Sequence, residues 1–395
     1  MPELAKRLPR KRNYPSKTGT INFYLVSSQR FQRFASIFRS MNAQSTPMPL
    51  IDEREWAIDI LGAGYEFHTI ELGNDPDGET DVVATVVRFN PAAANSADHE
   101  FFRRPALLWV HGMTDYFFHT EFAEYFHDAG FAVYAVDLRK CGRSHRPGQQ
   151  WHFATDLRFY FPDLNAATEL IATLHPSLIP AAHSTGGLIV PLWLSELKDS
   201  NPLRHSKISG LILNSPWLDL MYPRVVVRLL TPVIQFLGLK KPQALLPNDG
   251  LGPYGRSIHK DHFGEWDFDT VLKPVEGHKK NLGWLRAILL GHHEVHKDRV
   301  NVGVDVLTIC SARSWFNREY SPATDSADAV LDVKQIQKWA PHLSSPASRV
   351  TVIPIEDARH DVFLSTQGVR RKAMEIVHNW LKDHDLTGGE DFSSN

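Results

Sequence analysis

From residue 58 onward, short apolar runs alternate with amphipathic stretches. Residues 65–72 and 82–89 are β-rich runs, separated by the turn signal Gly73-Asn74-Asp75-Pro76-Asp77-Gly78. Residues 105–110, 131–136, 178–182, 208–213, 304–310 and 349–355 read as buried strands. Residues 121–130, 163–174 and 369–381 read as helices. This alternation predicts an α/β chain built on a mostly parallel sheet, with helices on both faces. In such sheets chemistry gathers at the carboxyl ends of strands. The polar motifs His111-Gly112-Met113, Asp137 to Ser144, and Asn214-Ser215-Pro216-Trp217 all fall at those ends.

The alternation breaks over residues 221–302. That stretch opens with Val225-Val226-Val227-Arg228-Leu229-Leu230, then Pro232, then Val233-Ile234-Gln235-Phe236-Leu237. It predicts a mainly helical cap inserted between two sheet strands. Its apolar surface exceeds what an exposed linker should carry. That surface either packs on the main domain or lines an apolar substrate tunnel. The resulting division is a basic extension over 1–50, core over 51–220, cap over 221–302, core again over 303–386, and a polar tail over 387–395.

Composition narrows the function. A net charge of −2 gives no case for nucleic-acid binding. Two cysteines, Cys141 and Cys310, exclude a disulfide framework and suit a reducing, cytoplasmic setting. No apolar run reaches the length of a membrane span. Between Leu4 and Ile51 there is no acidic residue, and Phe31, Phe34 and Phe38 fall at helical spacing. Three readings of that stretch compete: a disordered tail, a targeting or membrane-surface segment, and sequence upstream of a true start at Met41.

The chemistry centres on Ala182-His183-Ser184-Thr185-Gly186. An apolar strand reaches a serine, and glycines and a new apolar run follow at once. This is the layout of strand, tight turn and helix, with small residues two before and two after the serine. The arrangement puts a hydroxyl at the end of a strand beside free helix amides, and Ser184 is the candidate nucleophile. A serine needs a base, and the base needs an orienting carboxylate. Among twenty histidines, His360 is singled out by its loop after the last strand. The acid is expected between Ser184 and His360. Asp328 is chosen, with Asp332 as runner-up, because Asp332 could instead cap a helix beginning near Lys334. The backbone amides of Met113 and Thr185 are the candidate oxyanion donors. His292 and His296, at i and i+4, suit two metal ligands, but Glu294 is misplaced for the metalloprotease pattern. No metal or cofactor is expected.

Taken together, His111-Gly112-Met113, Asp137 to Ser144, Ala182 to Gly186 and Ala358-Arg359-His360-Asp361 resemble the α/β-hydrolases, in the monoacylglycerol lipase and lysophospholipase-like branch. The resemblance covers roughly residues 60 to 385. It implies an eight-stranded sheet with the second strand antiparallel, a cap after the sixth strand, and a Ser, Asp, His order. It also implies hydrolysis of a small-molecule ester or acyl lipid, and the apolar cap or the basic N-terminus would make any lipid-surface contact. Asp328-Ala329-Val330-Leu331 matches the family's pattern around the acid only if about fifteen residues are inserted before it. Ala182 stands where glycine is usual, and Pro180 is odd for a central strand. An aminopeptidase gripping an amine through Glu265, Asp267 and Asp269, an acyltransferase, and a catalytically dead binding protein are the alternatives.

Overall fold

The computed structural model describes residues 55–91, 99–247 and 251–387. The basic stretch over 1–50 and all but the first residue of the polar tail lie outside the described residues. The sheet is built from β1 (Ala57–Ile58), β2 (Tyr65–Gly73), β3 (Val82–Phe89), β4 (Ala106–Val110), β5 (Ala132–Asp137), β6 (Leu178–His183), β7 (Leu211–Asn214), β8 (Val306–Ser311) and β9 (Val350–Ile355). Their spatial order is β1-β2-β3-β5-β4-β6-β7-β8-β9. β3 runs antiparallel to both neighbours, and the ladders from β5 to β9 are parallel. The sheet has nine strands rather than the expected eight. The extra one is β1, two residues paired with the edge of β2. Both are exposed, and two residues are too few to carry a readable alternation.

Strands β4, β5, β6 and β7 are buried along their whole length. This is why they read as continuous apolar runs. The main helices are α1 (Thr120–Asp128), α2 (Phe161–Ala172), α3 (Gly186–Ser200), α4 (Arg224–Lys240), α5 (Gly252–Ile258), α6 (Leu282–His296), α7 (Val333–Trp339) and α8 (Gln367–Asp383). One core, on the face of Leu108 and Val110, takes Leu164, Trp193 and Trp284 from α2, α3 and α6. The other, on the face of Leu107 and Trp109, takes Phe122 and Phe126 from α1 and Trp380 from α8. Among the described residues, no helix is long and apolar enough to cross a membrane.

Pro180 sits in the middle of β6, not at its end. Leu178 bridges Ile208, but Ala181 already pairs with Ile212. Three residues of the β7 side therefore face two of β6 between these points, which is a bulge. The amide and carbonyl of Leu178 both face the β7 side, and the Ser184 amide does too, donating to the Asn214 carbonyl. By the two-residue repeat, the ring nitrogen of Pro180 faces the bulge, where the regular ladder is already interrupted.

The insertion between β7 and β8 carries α4, α5 and α6. Helix α6 packs Trp284, Ile288 and Val295 into the main core. Helix α4 does neither thing expected of its apolar residues. Val225, Leu229, Val233, Phe236 and Leu239 are exposed. Pro232 lies within α4 without ending it.

Candidate active site

The turn after β6 forces Ser184 to φ 51, in the left-handed region. Such a conformation costs about 1–3 kcal/mol and persists only where its surroundings enforce it. Here they do. The Ser184 amide donates to the Asn214 carbonyl, and its carbonyl accepts from the amides of Gly187 and Trp217. A Cβ on Gly186 would lie 2.5 Å from the His111 carbonyl oxygen, and one on Gly112 would lie 2.8 Å from the Ser184 Cβ. The glycines at 186 and 112 thus let α3 and the loop after β4 close on the serine.

His360 follows β9 and turns both ring nitrogens to use. Nδ1 lies 2.9 Å from Asp328 Oδ2, and Nε2 lies 3.0 Å from Ser184 Oγ. An ionised carboxylate only accepts, so Nδ1–H donates to Asp328. Nε2 is left to accept the serine proton. Asp328 Oδ1 accepts from the amides of Val330 and Leu331 at 2.8 and 2.7 Å, which fixes the carboxylate plane. Asp332 lies apart from this chain, and its side chain accepts from the Lys334 amide as the cap of α7. The inserted residues before Asp328 leave and return at one point. Ser314 bridges Asp328, the Trp315 amide donates to the Asp328 carbonyl, and the Asp328 amide donates to the Arg313 carbonyl. The detour over 315–327 therefore hands Asp328 back beside the end of β8.

The candidate oxyanion donors are set by their neighbours. The Leu138 amide donates to His111 Nε2 at 3.0 Å, so the proton of this imidazole sits on Nδ1, which donates to the Gly112 carbonyl at 2.7 Å. In a trans peptide the next N–H points opposite that carbonyl. His111 thereby turns the Met113 amide the other way. Thr185 stands at the start of α3. Among the described residues neither amide has a protein acceptor.

A second set of buried polar groups lies beside the first; Asn214 and Asp361 stood in motifs of the sequence, but sequence reasoning gave neither a role. Asp361 accepts from His119 Nε2 at 2.8 Å, from Asn214 Nδ2 at 2.7 Å and from the Phe363 amide at 3.0 Å. Burial alone would raise the Asp361 carboxyl; the imidazoles and these hydrogen bonds outweigh it and hold it well below the usual carboxylate range. Burial pushes His183 down to about 4, so that its imidazole is neutral at neutral pH. Asn214 Oδ1 accepts from the Val362 amide at 3.1 Å. Asn214 therefore holds the Ser184 turn by its backbone and the loop beyond His360 by its side chain. Its position at the end of a buried strand was the one signal available in the sequence.

Two other expectations resolve into structure. His292 and His296 each donate from Nε2 to a backbone carbonyl, Trp217 at 2.9 Å and Leu218 at 2.8 Å, and so do not face a shared ion. Glu265 pairs with Arg370, Asp267 with Lys260, and Asp269 accepts from the Val271 amide. None of the three converges on Ser184. Asp115, His183 and Asp361 bring ligand-type atoms within 4.8 Å of one another. However, Lys273 Nζ lies 2.9 Å from Asp115, and Asp361 is already filled. That donor set does not suit a cation.

Residues 103–260 match the family model of the serine aminopeptidases, S33. No curated protein sequence matches the chain. Among solved structures, a monoacylglycerol lipase of Paleococcus ferrophilus superposes with a TM-score of 0.53 at 18% identity, over 81% of this chain and 99% of that one. A soluble variant of monoglyceride lipase from Saccharomyces cerevisiae, in complex with a substrate analogue, gives 0.54 at 18% identity, over 80% and 96%. At that identity the likeness carries the fold. The strand order, the turn at Ser184 and the match over 103–260 meet in one conclusion: this chain has the α/β-hydrolase fold and is similar to the serine aminopeptidases and monoacylglycerol lipases.

Proposed function

We propose that the chain is a serine hydrolase that cleaves carboxylic esters through an acyl-enzyme. The observation that carries this is the continuous chain from Asp328 through His360 to Ser184, at 2.9 and 3.0 Å. Ser184 Oγ attacks the ester carbon while His360 Nε2 takes its proton. Asp328 holds the imidazole in the tautomer that can accept, and stabilises the imidazolium. The Met113 and Thr185 amides receive the oxyanion; losing one such donor typically costs about 100- to 1,000-fold in rate. The carbon–oxygen bond then breaks as His360 returns the proton to the leaving oxygen. Water repeats the sequence on the acyl-enzyme. Every group needed is supplied by the chain, without metal or cofactor.

The substrate we assign is monoacylglycerol- or lysophospholipid-like. Two observations support it: the fold shared with monoacylglycerol lipases, and the exposed apolar face of α4. The sequence of α4 with its next residue holds Arg224, Arg228, Lys240 and Lys241 and no acid, which suits an anionic lipid surface. Buried free thiols at Cys141 and Cys310 fit a cytoplasmic setting. The separate engagement of Glu265, Asp267 and Asp269 favours an ester over an amine-bearing peptide.

A fluorophosphonate labels an activated serine. Labelling of the wild type that is absent in Ser184→Ala is the expected result, whereas a folded wild type that stays unlabelled points to a binding protein instead. For the surface, Leu229→Glu with Phe236→Glu should weaken sedimentation with vesicles containing phosphatidylserine. Equal sedimentation of variant and wild type removes α4 as the contact.

A further inference from the structure

The cap stretch over 263–266 reaches the loop that carries His360 by three routes, and all of them meet at Arg359. The first runs through the detour over 315–327. The Phe263 ring lies flat on Tyr320 of that detour, with centroids 3.7 Å apart and planes 3° from parallel. The Tyr320 hydroxyl donates to Asp325 Oδ2 at 2.7 Å, and Asp325 Oδ1 accepts from Arg359 Nη2 at 2.9 Å. The second route is shorter. The Trp266 Nε1–H donates to the Leu364 carbonyl at 3.1 Å, and Arg359 Nη1 donates to the same oxygen at 2.8 Å. The third passes through α8. Arg370 Nη1 donates to Glu265 Oε1 at 2.7 Å and to the Ser365 carbonyl at 3.1 Å. The Ser365 hydroxyl in turn accepts from the Arg359 amide at 2.9 Å.

Arg359 is 3% exposed, and a buried guanidinium needs a carboxylate. Among the described residues, the carboxylate it pairs with is Asp325. The residues inserted before Asp328 therefore serve the base loop twice. Asp328 answers the His360 ring, and Asp325 answers the residue before it. The guanidinium is planar, so bonds to Asp325 and to the Leu364 carbonyl fix its direction as well as its place. The peptide joining Arg359 to His360 is rigid, and a displacement of one is passed to the other. On the serine-hydrolase reading, we propose that the cap stretch over 263–266 positions the catalytic base, with Arg359 as the junction and Asp325, Tyr320 and Trp266 as positioning residues that keep His360 in line with Ser184. None of these four side chains bonds to Ser184 or to the His360 ring, whose partners are Asp328 and Ser184. The cap thus contributes to the alignment of the base, a role separate from any contact it makes with substrate or lipid.

The test uses the full chain, with p-nitrophenyl acetate hydrolysis and fluorophosphonate labelling measured well below the thermal transition. Asp325→Asn should lower kcat about tenfold or more with KM little changed, and slow labelling by a similar factor. Asp325→Glu should recover most of both. Tyr320→Phe and Trp266→Phe each keep an aromatic ring and remove one donor, and should lower kcat by smaller factors; they carry the test if Asp325→Asn does not fold. In the double variant of Asp325→Asn and Trp266→Phe, the loss should differ from the product of the two single losses, because both act through Arg359. Asp267→Asn breaks the exposed pair with Lys260 beside the same cap stretch and should change neither rate. Folded variants with wild-type kcat and labelling overturn the proposal, as does a loss confined to KM, an equal loss in Asp267→Asn, or single losses that simply multiply. Labelling of the wild type separates the failures. An unlabelled wild type sinks the serine-hydrolase reading itself; a labelled one whose variants keep its rates sinks only the positioning role.

Discussion

Asn214→Ala removes a side chain that ties two loops together while leaving the backbone carbonyl that holds the Ser184 amide. Asn214 is 1% exposed, so what it leaves behind stays dry. The Asp361 carboxylate loses the 2.7 Å bond from Nδ2, a charge-assisted bond contributing about 1.5–3 kcal/mol. The Val362 amide loses its acceptor and is orphaned, at about 1–3 kcal/mol. Together these predict a destabilisation of about 3–5 kcal/mol. At about 2 °C per kcal/mol for a large domain, the melting temperature should fall by roughly 6–10 °C. The second effect is on rate. Val362 lies two residues past His360, and freeing it loosens the imidazole relative to Ser184. A misplacement of about 1 Å can cost about 100-fold. That loss should appear in kcat and in the rate of fluorophosphonate labelling, with KM little changed. Thermal melting by circular dichroism and labelling kinetics at a temperature well below the transition read the two effects separately. A melting temperature within about 2 °C of wild type would refute the energetic reasoning. A lower melting temperature with unchanged labelling kinetics would refute the claim that Asn214 positions the base.

Three further outcomes follow from the same geometry. Asp328→Asn should lower kcat by about four orders of magnitude, because the amide favours the wrong imidazole tautomer. Asp332→Asn should leave both activity and stability near wild type, since asparagine caps α7 as well as aspartate does; ester hydrolysis assays compare the two. The Asp361 carboxyl is depressed in the folded protein, so its stabilisation is present at pH above the ordinary aspartate value of about 3.9 and is lost as pH falls through the folded one. The gap in melting temperature between wild type and Asp361→Asn should therefore be widest near neutrality and narrow towards pH ~3. A gap that widens in acid would show that Asp361 is not held ionised.

Much of this could be read from the chain because buried parallel strands announce themselves as apolar runs. β4, β5 and β6 were legible almost to the residue. Ser184 was legible because its strain demands small neighbours, and those sit beside it in sequence. His360 and Asp328 were harder. Each is placed by a loop, and in the case of Asp328 the detour over 315–327 hides the distance from β8. Asp328 was chosen over Asp332 because Asp332 had a ready role as a helix cap, not from any periodicity. Asn214 with Asp361 was out of reach, since the contact joins side chains 147 residues apart and neither type is unusual where it stands. The exposed face of α4 was misplaced for the opposite reason. Its apolar residues were visible, and burial is the ordinary fate of such residues.

Pro180 has a consequence for how accurately the molecule assembles. A parallel strand slipped by one residue turns every side chain to the opposite face. Were β7 to slip against β6, Asn214 would turn away from Asp361, and the loop carrying His360 would lose its mooring. Amide-bearing residues along β6 could tolerate such an offset, because a displaced ladder still finds donors. A ring nitrogen cannot. Any alignment that sets a β7 carbonyl against Pro180 leaves that carbonyl unanswered, so the wrong offset is penalised before the loops at the strand ends have formed. The accuracy of the site is in this way inherited from something a proline is unable to do.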